Sequence, residues 1–143
     1  MLGVIFSIIA GVAMSLQGVF NTRLSDKIGT WETNVFVQAT GLILCLIVFL
    51  IAGNGSFKDI KGVNRLYLLG GLLGVVIIFT VMMGIKNLGP TCSISIILVA
   101  QLTAAAIIDA LGLFDSEKIV FGTTKIIGVV IMMAGIIIFR WKC

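Results

Sequence analysis

Residues 32–52 read ETNVFVQATGLILCLIVFLIA, with one carboxylate at the first position and no charge in the twenty that follow. At ~1.5 Å of rise per residue, such a run makes a helix about as long as the ~30 Å hydrocarbon core of a bilayer. A helix at the surface of a soluble domain carries a polar face, and the second half of this run has none. It reads as a transmembrane helix, which sets the expectation for the whole chain: an all-α membrane protein.

Working outward, the charges divide the chain into four further runs, giving predicted spans at 2–22, 32–52, 66–85, 91–109 and 121–139. Only short connections remain, so residues 1–143 form a single transmembrane domain. Lys125 lies inside the fifth run, close enough to its end to snorkel. Trp31, Tyr67 and Trp141 fall at run boundaries, where interfacial aromatics belong. Gly89-Pro90 interrupts the helix between the third and fourth runs and predicts a tight antiparallel hairpin there. No basic segment precedes Leu2, and Gln17 and Asn21 stand where a small-residue cleavage site would be, so the first run is expected to be a span and not a cleaved signal.

The 143 residues are 59% hydrophobic with 17 further glycines, and only 10 basic and 6 acidic residues are present. Soluble domains carry about a quarter charged residues. There is no histidine, so a His-based triad is excluded, and no cluster of metal-ligating spacing is found. Neither an acid/base pair nor a nucleophile–base pair stands out, so the chain is expected to be no enzyme, to have no catalytic residues and to need no metal or cofactor. The three cysteines, Cys45, Cys92 and Cys143, show no CxxC spacing and read as small apolar fillers. The net charge of +4 is scattered between apolar runs, which argues against nucleic acid as a partner.

Five spans place the termini on opposite sides. One side then carries Lys58, Lys61, Arg65, Lys118 and Lys125; the other carries Arg23, Lys27, Lys86, Arg140 and Lys142. The positive-inside rule works on the difference between such counts, and here they are equal. The expectation is insertion both ways up and assembly as an antiparallel, inverted ten-helix dimer, an arrangement that matches the inverted repeats of many secondary transporters.

Inside the spans, side-chain amides are the informative groups, because an amide without a partner costs several kcal/mol in lipid. Gln17 and Asn21 are four apart on helix one, and Asn34, Gln38, Gly41 and Cys45 form one stripe on helix two. Both pairs lie towards the same side, where helix one ends and helix two begins. Gln101 is the polar residue nearest the bilayer centre on helix four, which ends at Asp109. Gln17, Asn21, Asn34, Gln38 and Gln101 are therefore the candidate substrate contacts, each with the alternative of a bond between helices. Asp109 and Glu32 are the candidates for ion coupling, with helix termination as their alternative. Gly70 and Gly74, and Gly128 and Gly135, are candidate helix-packing positions.

Two stretches resemble a known family. Residues 11–24, with Gln17, Asn21 and Leu24 as a QxxxNxxL core, resemble the opening of the YdcZ-type branch of the drug/metabolite transporter superfamily. The stretch from Asn87-Leu88-Gly89-Pro90 through Gln101 to Asp109, followed by Gly112-Leu113-Phe114, is similar to that family's second signature. Ala100 stands where a glycine is usual before the Gln, and Ala110 where a histidine often follows the Asp, so Asp109 lacks that partner for a proton relay. The resemblance covers essentially the whole chain. It implies five-helix halves that work as a homodimer or pair with a homologous half-transporter, and movement of small metabolites or drugs by alternating access. The expected location is the plasma (inner) membrane of a prokaryote, as a multi-pass protein.

Amides without a central carboxylate favour a small polar or zwitterionic solute; a lipophilic cation would ask for a buried acid at mid-depth. Two other readings remain: a small assembly or interaction subunit of the membrane without transport activity, and a multidrug exporter of lipophilic cations.

Overall fold

A computed structural model describes residues 1–119 and 122–141, with the side chains of Lys125 and Arg140 outside that description. The expectations about the start of the fifth span, the snorkelling of Lys125, the flanking charges of Arg140 and Lys142, and Cys143 lie outside the described residues.

The helices are α1 (Leu2–Ile28), α2 (Thr30–Ala52), α3 (Gly70–Leu88), α4 (Pro90–Leu111) and α5 (Thr123–Arg140), with two 3-10 segments, η1 (Phe57–Gly62) and η2 (Arg65–Leu69), between α2 and α3. Among the described residues there is no strand. Four stretches, Leu2–Ile28, Thr30–Ala52, Arg65–Leu88 and Pro90–Leu111, are long and apolar enough to cross a membrane. The apolar part of α5, Ile126–Phe139, is shorter.

Helix α1 does not stop at its first charge. It runs through Arg23, Asp26 and Lys27 to Ile28, which makes it about 40 Å long and carries its last turn beyond a ~30 Å hydrocarbon core. A single residue, Gly29, separates it from α2, with φ +101° and ψ 157°. L-residues scarcely populate that region, and a Cβ there would also meet the carboxylate of Glu32 folded back over the turn. Gly29→Ala is expected to destabilise the protein by about 1–3 kcal/mol, read as a lower thermal midpoint in detergent. Gly89 breaks α3 from α4 in the same way, with φ +78° and ψ 163°, and Pro90 occupies the first helical position, where its missing N–H leaves no bond unmade.

The chain divides into two compact units, Met1–Lys86 and Asn87–Cys143. In the first, α3 runs parallel to α1 and antiparallel to α2. The parallel pairing follows from Gly18 lying against Val81 and Ile85 and from the Asp26–Lys86 ion pair at 3.2 Å. The antiparallel pairing follows from Trp31 stacking on Phe79 at 4.9 Å between centroids and from Asn34 bonding to Val75. The end of α1, the start of α2 and the end of α3 thus share one level.

The core of this unit sits at that level. Asn21, Thr22, Ser25, Thr33 and Asn34 are buried beside Met82 and Ile85, whereas Leu2, Leu50 and Ile51 are more than 70% exposed. Polar residues inside and large apolar residues outside invert the order of a soluble domain, and lipid is the medium that permits it. In the second unit α4 packs with α5. Gly112 ends α4 in the left-handed conformation, φ +64°, and the turn is tied back by Ile119 N–H donating to Asp109 O at 2.9 Å.

Candidate functional site

Hydroxyls spread along the described helices bond to their own backbone. Ser15 donates to Gly11 O, Thr22 to Gly18 O, Thr33 to Gly29 O, Thr80 to Val76 O, Ser95 to Thr91 O and Thr103 to Val99 O, all within 3.0 Å and one turn back. An amide is too long and too demanding for that solution, since it presents two donors and an acceptor. The amides are therefore the groups whose partners must come from another helix, water or a ligand.

Gln17 and Asn21 come together as the sequence spacing requires. They line one cavity of about 40 Å³ with Met14, Gly18, Ile77, Ile78 and Val81, in the seam between α1 and α3. Asn21 is 7% exposed, and among the described residues its amide meets no hydrogen-bond partner. Gly18 is part of the lining, and its missing side chain lets α3 approach so closely that a Cβ would come within 2.9 Å of Ile85 Cδ1. An apolar α3 wall facing two amides on α1 can hold a water molecule or one polar group of a larger solute.

Asn34 and Gln38 are turned to α3 and do not line that cavity. Asn34, 2% exposed, donates from Nδ2 to the carbonyl of Val75 at 2.9 Å. Gln38 packs on Gly74, whose absent Cβ would lie 3.2 Å from Nε2. The sequence could not show this, because Val75 has no polar side chain to announce its carbonyl as a partner. Gly74 is thus in a helix contact, while a Cβ at Gly70, Gly128 or Gly135 would meet nothing within 4 Å.

Gln101 is exposed midway along α4 and Asp109 is half-buried in its last turn. Both belong to the second unit. Glu32 lies exposed in the first turn of α2. Among the described residues no group of His, Cys, Asp and Glu is arranged to hold a metal ion. Asp26 and Lys86 are 40% and 48% exposed in their side chains, so their pairing is solvent-screened. Asp26→Asn is expected to cost no more than about 1 kcal/mol, measured by thermal unfolding in detergent at low and high salt.

Long uninterrupted spans, a polar core and an apolar exterior define a multi-pass integral membrane protein whose free amides sit within the bilayer-spanning helices. Comparison with known families is in accord: the profile described as “Putative inner membrane exporter, YdcZ” matches residues 2–138. The chain belongs to this DMT-type YdcZ family of the inner membrane. No curated protein and no solved structure matches it.

Proposed function

We propose that the chain is one half of a secondary exporter that moves a small polar or zwitterionic metabolite or drug by alternating access. Two copies, inserted in opposite senses, make ten helices, with α5 as the fifth span of each. The observation that carries the reading is the amide of Asn21, which opens into a cavity shared with Gln17 and meets no partner among the described residues. That cavity, about 40 Å³, is far below the ~300 Å³ of an ordinary ligand site. One copy supplies a subsite for a single polar group, and the rest of the site comes from elsewhere in the assembly.

Gln101 supports the same reading, since an amide exposed halfway along an apolar helix needs cover by protein or an aqueous passage. The equal counts of lysine and arginine on the two sides leave the chain without a preferred orientation. Gly70, Gly128 and Gly135, open in the single chain, serve as packing positions for the second copy. Asn34 and Gln38 complete the substrate-binding set when α3 moves away from α2. Asp109 and then Glu32 are the groups for ion coupling, and Asp109→Asn is expected to flatten the pH dependence of transport in proteoliposomes.

The rival reading, an assembly subunit without transport, draws on Asn34, whose amide already joins two helices. Topology separates part of the question. Single cysteines placed in the 53–65 connection and after Trp141 of a cysteine-free variant are labelled in intact cells with an impermeant reagent. About half of the molecules labelled at each site is the expected result; labelling at only one of the two sites overturns dual insertion.

A further inference from the structure

The connection between α2 and α3 is more than a link. Residues 53–64 separate the membrane-spanning stretches Thr30–Ala52 and Arg65–Leu88, whose ends hold this segment and Arg65 at the membrane boundary. Within η1 the three-residue turn puts Phe57 and Ile60 on one face and Lys58 and Lys61 on the next. The same spacing continues in the sequence at Val63 and Leu66. All four apolar side chains are exposed, from 42% at Val63 to 73% at Phe57. Phe57 is fixed beside the last turns of α2 by its ring contact with Phe49 at 5.3 Å. Between them Phe49, Gly55, Ser56 and Phe57 line a groove of about 260 Å³.

Both 3-10 segments are built to persist: Ser56 Oγ accepts from Lys58 N–H at 3.2 Å and Asn64 Oδ1 from Leu66 N–H at 3.1 Å. Lys58, Lys61 and Arg65 are exposed, with Asp59 the sole acidic residue of the segment. None of the three forms an ion pair among the described residues.

We propose that this segment is a docking surface for anionic phospholipid, with Phe57 and Ile60 inserted among the acyl chains and Lys58, Lys61 and Arg65 on the phosphates. An apolar face beside a basic one, held at the headgroup level, is the arrangement of an interfacial amphipathic segment. Phospholipid is favoured over a soluble polyanion because a soluble partner would leave Phe57 and Ile60 in water. The surface is independent of the transport site and of its role.

The test uses the full-length, cysteine-free protein reconstituted in vesicles of phosphatidylcholine alone or mixed with phosphatidylglycerol. Nitroxides are placed singly at Ile60→Cys and Gly62→Cys, and their collisions with oxygen and a water-soluble nickel chelate are compared. In phosphatidylglycerol vesicles the label at 60 is expected to be shielded from nickel, and the label at 62 open to it. Lys58→Gln, Lys61→Gln and Arg65→Gln together are expected to raise nickel access at 60 to the level at 62. Phosphatidylglycerol enrichment in the purified protein should fall about fivefold for each cation removed. Nickel access at 60 equal to that at 62 in the parent protein overturns the docking. Shielding at 60 that is the same in both vesicles and unchanged in the triple variant overturns the role of charge.

Discussion

Replacing Asn21 with leucine is expected to leave the protein folded and assembled while lowering substrate transport by about 10- to 100-fold. The basis is the cost of a missing hydrogen bond, about 1–3 kcal/mol, which at 1.4 kcal/mol per tenfold corresponds to about 5- to 140-fold and brackets that range. Asn21 is 7% exposed and its amide has no partner within the described chain, so folding loses nothing when the amide goes. Leucine also fills a cavity of only about 40 Å³ with apolar atoms. The protein should therefore become more stable as it becomes less active.

Asn34→Leu provides the contrast. Its amide donates to Val75 O across two helices, so its loss should lower the thermal midpoint by the equivalent of about 0.6–2 kcal/mol. Transport per folded molecule is compared for the two variants in proteoliposomes, with assembly followed by crosslinking. If Asn21→Leu transports at the parent rate, the cavity is not a substrate subsite. If it fails to assemble, the amide is a joint between helices and the rival reading gains.

The membrane class of the fold was legible in residues 32–52, because twenty uncharged residues admit few other interpretations. The pairing of Gln17 with Asn21 was legible too, since a spacing of four fixes one helix face and no tertiary information is needed. What could not be read was what each face meets. Asn34 finds a backbone carbonyl, a partner that every residue carries and no side chain advertises. The sequence ends the first span at Thr22, just before charge begins at Arg23, yet the helix continues to Ile28. Charge marks where lipid ends, while the helix ends where a backbone conformation open to glycine interrupts it. Gly29, with φ +101°, does that work, and it left α1 and α2 joined by one residue, as tightly as α3 and α4 at Gly89.

Gly18 is where the same close approach is most vulnerable. Its hydrogen stands where a Cβ would lie 2.9 Å from Ile85 Cδ1 and 3.0 Å from Val81 Cγ1, both closer than ordinary carbon–carbon contact. Gly18→Leu adds four carbons into that seam and must push α1 from α3, so a loss of about 1–3 kcal/mol or more is expected. The displacement would also pull Asn21 away from the α3 wall of its cavity, so transport should fall together with stability, unlike in Asn21→Leu. Gly18→Ala is the finer probe, because the helix gains up to ~1 kcal/mol of intrinsic propensity against the steric cost. The nearest obstruction is the end of one side chain, and Ile85→Val removes that atom. In the Gly18→Ala background, Ile85→Val should recover at least ~0.5 kcal/mol relative to its effect alone, the coupling expected of residues in direct contact. A cycle of thermal midpoints in one detergent measures that term, and strict additivity would mean that α1 and α3 do not meet at Gly18. Since Asp26 and Lys86 join the same two helices only by a screened ion pair, the seam's stability rests on this glycine more than on the charges at its end.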